Sequence, residues 1–202
     1  MKKIKEYKSV MNDKVGIRIN GNESYKNIEK NELDEIIKEI KKINFNRYQD
    51  DESLNLRKAY AEVVGIGEEN VIAGNGSDEM ISLIINYQIT NKKVVLTINP
   101  DFSMYDFYTS LNEGVVKKYN TENDGSFSVD RFIEYGRRVN PNLIIFSNPN
   151  NPTGHVISND EIIFILEAFK DILIVVDEAY YEFYGQGMIG YIEKYKNLIV
   201  TR

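Results

Sequence analysis

The stretch Ser147–Tyr184, SNPNNPTGHVISNDEIIFILEAFKDILIVVDEAYYEFY, contains two apolar runs that each end in a polar cluster. The first run, Leu143 to Ser147, stops at an Asn/Pro/Gly loop, Asn148 to Gly154. The second, Ile172 to Val176, stops at a carboxylate and a phenol, Asp177 to Tyr181. Between them Ser158 and Glu161 form a capping-box pattern ahead of an apolar-periodic helix. The unit therefore reads strand, loop, helix, strand. In open α/β sheets ligands bind beyond the carboxyl ends of the strands. An amide, a carboxylate and a phenol delivered there suit a heteroaromatic ring that carries a nitrogen and a hydroxyl.

Working outward, the same alternation continues. Leu33, Ile36, Ile37 and Ile40 fall at helical spacing, with Asn31 as the expected N-cap. Leu54 to Val64 predicts a helix stopped by Gly65, and Val71–Ala73 a short strand. GNGSD opens a further helix through Ile85. Val94–Ile98 and Val115–Tyr119 read as strands around an aromatic helix, FSMYDFYTSL. Val129–Val139 reads as a helix, and Leu198–Thr201 as the last strand. Strands alternating with helices imply an α/β fold, a mainly parallel sheet covered on both faces. The expected division is residues 1–45, an N-terminal segment with the first helix, and 46–202, part of a larger domain.

Composition narrows the class. The 202 residues carry a net charge of −6 and 42% apolar side chains, so the chain is globular and a poor match for nucleic acid. There is no cysteine, which removes disulfides and thiolate metal sites, and His155 is the only histidine, so no metal site is expected. The N-terminus is charged throughout and no apolar run approaches a membrane span, which makes a cytoplasmic protein the expectation.

The chemistry-bearing positions each have a plainer reading. Gly76, Ser77 and Asp78 present backbone N–H groups at a helix start, where a phosphate is favoured; alternatively, Ser77 simply caps a structural helix. Asp177 ends a buried strand and needs a partner. A pyridinium N–H would serve, as would a structural ion pair. Tyr180 could reach a ring hydroxyl or pack in the core. Asn151 could do the same or form an Asx turn. Phe102 could stack on a ring or join the core.

As a set these residues resemble the class I/II, fold-type I aminotransferases that use pyridoxal phosphate, and among them the histidinol-phosphate group. The matching pieces are INGNES (Ile19–Ser24), RYQD (Arg47–Asp50), GNGSDE (Gly74–Glu79), DFSMY (Asp101–Tyr105), NPNNPTG and VDEAYYEF (Val176–Phe183). The resemblance implies the three-layer fold of the large domain. It places the cofactor phosphate on the backbone of Gly76, Ser77 and Asp78, and the ring-stacking aromatic at Phe102. It assigns the ring hydroxyl to Asn151 and Tyr180, and the ring nitrogen to Asp177. Tyr48 matches a tyrosine that reaches the phosphate bound by the neighbouring subunit of a homodimer. Asn22 and Tyr25 fall in the segment lining the substrate pocket, where Ser24–Tyr25 departs from the commoner pattern.

The implied reaction moves an amino group between an amino substrate and a 2-oxo acid. A decarboxylase of amino-acid phosphates on the same fold is the enzymatic alternative, and a non-catalytic truncated remnant the other. The family's Schiff-base lysine follows the strand matched here by Asn197–Arg202, so that lysine and the C-terminal small domain are expected outside this sequence. The chain alone is then expected to be inactive.

Overall fold

The computed structural model describes residues 21–48, 50 and 52–202. They divide into two compact units, one ending at Leu54 and the other running from Asn55 to Arg202. The first holds helix α1, Lys30–Ile40, whose N-cap is Glu29 in a capping box with Glu32. The cap is therefore not Asn31. Glu32 reaches back to the Glu29 N–H, so the cap lies two residues before that asparagine.

The second unit contains five strands, β1 (Val94–Asn99), β2 (Val115–Asn120), β3 (Leu143–Ser147), β4 (Leu173–Asp177) and β5 (Leu198–Thr201). All pair in parallel, in the order β2-β1-β3-β4-β5. The helices are α2 (Leu54–Val64), α3 (Gly76–Gln88), α4 (Met104–Leu111), α5 (Val129–Val139), α6 (Asn159–Ala168) and the short α7 (Tyr181–Tyr184). α2 ends where expected, since Gly65 takes φ +75° and returns its N–H to Ala61.

Side chains alternate across each strand, and this sorts the core into two layers. Ile144 and Phe146 of β3, Ile174 and Val176 of β4, and Leu96 and Ile98 of β1 pack with Phe132 of α5 and Ile162, Ile165 and Leu166 of α6. Leu143, Ile145, Val175 and Val95 face the other way, onto Ile81 and Ile85 of α3 and Tyr105 of α4. With both faces covered, the central strands read as continuous apolar runs rather than alternating ones. All five residues of β3 are buried.

Val71–Ala73 is not a strand. Val71 is extended, at φ −114° and ψ 132°, but the segment joins no ladder among the described residues. Ile72 is 82% exposed, so β-propensity has no neighbouring strand to act on.

The strand order places a topological switch between β1 and β3. The chain leaves β1 for α4 on one face, and leaves β3 for α6 on the opposite face. In open α/β sheets such a switch point, at the carboxyl ends of the strands, is the usual place for a ligand.

Burial of this kind makes Phe146→Ala costly. A loss of about 3–5 kcal/mol in urea unfolding is expected from the cavity and transfer terms together. Leu83→Ala on the half-exposed side of α3 should cost roughly 1 kcal/mol or less.

Candidate active site

Three adjacent strands end at the same level in a polar residue. Ser147 pairs with Asp177, and Asp177 with Thr201. Asp177 is 4% exposed. Its Oδ2 accepts from the Tyr105 hydroxyl at 2.7 Å, and its Oδ1 from the Thr201 hydroxyl at 3.1 Å and the Ala179 N–H at 3.2 Å. No cation pairs with it among the described residues. Burial pushes its carboxyl above the usual range, against the lowering effect of Tyr105, Ala179 and Thr201, and the Asp78 charge adds a smaller push upward.

The start of α3 is built by its own side chains. Asn75 is the N-cap, and Glu79 accepts from the Asn75 N–H at 2.6 Å and from its amide at 3.0 Å. The capping residue is therefore Asn75 rather than Ser77. Gly76, at φ +78°, turns the chain into the helix. Asp78, an awkward neighbour for an anion by sequence, has its carboxylate taken by the Tyr108 hydroxyl at 2.9 Å. The Tyr108 phenol is pushed up to about 12, by burial first and then by Asp78. Tyr105 and Tyr108 lie three residues apart on α4, so one helix face reaches both Asp177 and the start of α3.

Phe102 precedes α4 and meets Tyr105 edge-on, ring centroids 5.7 Å apart. Asn151 lies in the loop after β3, and its N–H donates to the Ser147 hydroxyl at 3.0 Å. Its side chain makes no hydrogen bond among the described residues. Tyr180 follows Asp177 by three residues as the N-cap of α7, and its ring leans on Phe183. Phe102, Asn151, Asp177 and the α3 start are thus linked through Asp101, Ser147, Tyr105 and Tyr108. Tyr180 lies in the turn after β4.

Asn22, Tyr25 and Tyr48 belong to the N-terminal unit and are exposed there. Of the motifs in that unit, Ile19, Asn20 and Gln49 lie outside the described residues.

Four contributors were not singled out from sequence: Tyr105, Thr201, Ser147 and Asp101. For three of them a signal existed. Ser147 and Thr201 each end an apolar run as Asp177 does, and Tyr105 sits one helical turn beyond Phe102. Beside Asp177, the fully buried Glu178 accepts from the Met188 N–H at 2.5 Å and from Arg202 at 2.8 and 3.0 Å. The Arg202 guanidinium lies 3.4 Å from the centroid of the Tyr181 ring. This knot fixes the turn after β4 to the end of β5.

The sequence profile of the class I and II aminotransferases matches residues 14–202. The chain belongs to this family. It is 42% identical to the histidinol-phosphate aminotransferase of Clostridium novyi over all of its own length and 57% of that protein's. Among solved structures it superposes on the histidinol-phosphate aminotransferase of Clostridium acetobutylicum with a TM-score of 0.73 at 26% identity, covering 86% of this chain and 51% of that one. A structure of the Sinorhizobium meliloti histidinol-phosphate aminotransferase in complex with pyridoxal-5'-phosphate shares the fold, with a TM-score of 0.63 at 23% identity over 67% of this chain and 37% of that one. The chain spans about half the length of the curated relatives it matches.

Buried acids give this aminotransferase chain a measurable pH response. Burial pushes Asp101 up to about 7, against hydrogen bonds from Ser147 and Phe102, and also raises Asp177 and Glu178. The unfolded chain releases the Asp101 proton near 3.8 while the folded chain holds it to about 7. The folded state binds more protons across that window, so stability contributed at low pH is lost as pH rises through it and then levels off. Relative to wild type, Asp101→Asn should gain more stability at pH 8 than at pH 5, read from urea midpoints. A difference independent of pH would contradict this.

Proposed function

We propose that this chain carries the pyridoxal-phosphate-binding part of an aminotransferase. The reaction exchanges an amino group between histidinol phosphate, or a similar amino substrate, and a 2-oxo acid. The observation that carries the reading is Asp177. A carboxylate this deeply buried at a strand end, with no ion-pair partner among the described residues, is suited to a protonated ring nitrogen. The residues present fit the cofactor by the chemistry of their donors and acceptors.

When bound, pyridoxal phosphate supplies an electron sink for bonds at the substrate's α-carbon. The chain's own residues bind and orient. Asp177 keeps the proton on the ring nitrogen, because an ion pair in a dry site favours both charged forms. Tyr105 and Thr201 hold the carboxylate in place by occupying one lone pair on each oxygen. The N–H groups of Gly76, Ser77 and Asp78 offer unpaired donors to the phosphate, and the helix dipole adds to their pull. Phe102 covers a ring face, and the Asn151 amide and Tyr180 hydroxyl donate toward the ring oxygen. The family profile and the identity to histidinol-phosphate aminotransferases support these assignments.

The finer elements belong to the same proposal. Tyr48 serves the phosphate site of the partner in a homodimer, and Asn22 and Tyr25 line the substrate pocket. The protein acts in the cytoplasm in histidine biosynthesis. No helix among the described residues is long and apolar enough to cross a membrane.

The test joins these residues to the C-terminal half of the Clostridium novyi relative and assays amino transfer from histidinol phosphate to 2-oxoglutarate. Turnover that Asp177→Asn abolishes is expected; a fusion that folds and binds pyridoxal phosphate but leaves histidinol phosphate untouched overturns the substrate assignment. In the chain itself, Asp177→Asn should weaken pyridoxal phosphate binding by about 10- to 100-fold, the value of a charge-assisted hydrogen bond. Equal affinity in an absorbance titration would remove Asp177 from the site.

A further inference from the structure

Asp101, half-buried near the strand ends, is an acid of which the cofactor contacts make no use. It stands at the switch point, just beyond β1. Its Oδ1 accepts from the Ser147 hydroxyl at 2.5 Å and from the Phe102 N–H at 2.8 Å. Its Oδ2 accepts from the Ser147 N–H at 3.2 Å and lies 3.5 Å from the Thr97 hydroxyl. The Ser147 oxygen in turn accepts from the Asn151 N–H at 3.0 Å and the Asn150 amide at 3.3 Å. One carboxylate therefore ties the loop that carries Phe102 to the loop that carries Asn151.

The rest of the Asn151 loop is organised mostly by its own bonds; one further tie to the loop after β1 runs from the Asn150 amide to the Pro100 carbonyl at 3.3 Å. The Asn150 side chain accepts from the Thr153 N–H and hydroxyl at 3.1 and 2.7 Å, and the Asn150 N–H donates to His155 at 2.8 Å. These bonds shape the turn. The Ser147 hydroxyl holds the Asn151 N–H to the end of β3, at the level of Asp177. Since the Asn151 side chain has no hydrogen bond of its own among the described residues, its backbone decides where the amide points.

We propose that Asp101 is a positioning residue that, through Ser147, locks the loops after β1 and β3 together and so sets where Phe102 and Asn151 meet the ring. The consequence for the ring rests on the pyridoxal phosphate reading; the lock itself does not. Its state depends on the Asp101 proton. As a carboxylate, Asp101 accepts the Ser147 hydroxyl proton. Once protonated it donates instead, and the Ser147 oxygen is the acceptor at hand, in competition with the Asn151 N–H. The ionisable groups facing Asp101 are Asp177 from β4 and Tyr105 from α4, and no cation pairs with it among the described residues. Burial and the nearby Asp177 charge both favour the proton, which places the change near pH 7.

The test follows the backbone amide resonance of Asn151 in the 15N-labelled chain from pH 5.5 to 8.5. A titration with a midpoint near 7 is expected in the wild type, unchanged in Asp177→Asn apart from a small downward shift, and absent in Asp101→Asn. A flat wild-type profile, or a titration that survives Asp101→Asn, overturns the proposal. The second measurement is pyridoxal phosphate affinity by absorbance. Asp101→Ala should weaken it about tenfold, while Asp101→Asn, whose amide oxygen still accepts from Ser147 and Phe102, restores most of it. Equal affinity in the Asp101→Ala and wild-type chains also overturns the proposal. If the wild-type chain binds no pyridoxal phosphate, the cofactor reading fails, and the Asn151 titration alone decides the lock.

Discussion

A buried carboxylate without a counter-charge is the constraint on which this structure turns. Asp177 sits at the end of β4, 4% exposed, and is held by two hydroxyls and a backbone N–H rather than by a cation. Such a group costs several kcal/mol to bury ionised. A neighbouring strand and a helix supply what relief they can, through Thr201 from β5 and Tyr105 from α4. The arrangement suits a positive partner, and a ring N–H is the one proposed for it.

The sheet makes this possible. Parallel strands end at one level, so Ser147, Asp177 and Thr201 line up without any loop having to place them. The switch in strand order between β1 and β3 falls beside them, where open α/β sheets place their ligands. Tyr105 and Tyr108, a helical turn apart, carry the network from the strand ends to the start of α3. Local rules and the global fold point to the same place, as expected of a sequence with little conflict between levels.

Much of this was legible in the residues. The apolar runs that became β1, β3, β4 and β5 are rich in β-branched residues and bounded by turn residues, so their length and composition agree. The capping box at Ser158 and the stop at Gly65 appear where the side chains demand them. Val71–Ala73 looked equally strand-like but joined no ladder, because pairing is a tertiary fact that propensity does not carry. Asn31 and Ser77 are good capping residues that lost to Glu29 and Asn75, each fixed by a glutamate reaching back. Asp101 stands in the sequence only as the first residue of DFSMY. Its role depends on Ser147, 46 positions away, a contact that exists only once β1 and β3 are neighbours.

The central claim is that Asp177 awaits a cation. The most direct measurement is the 13C carboxyl resonance of Asp177, followed across pH in the chain with and without pyridoxal phosphate. The account predicts a midpoint above the usual aspartate range in the free chain and a carboxylate that stays ionised well below that midpoint once pyridoxal phosphate is bound. A midpoint unmoved by saturating pyridoxal phosphate would contradict it.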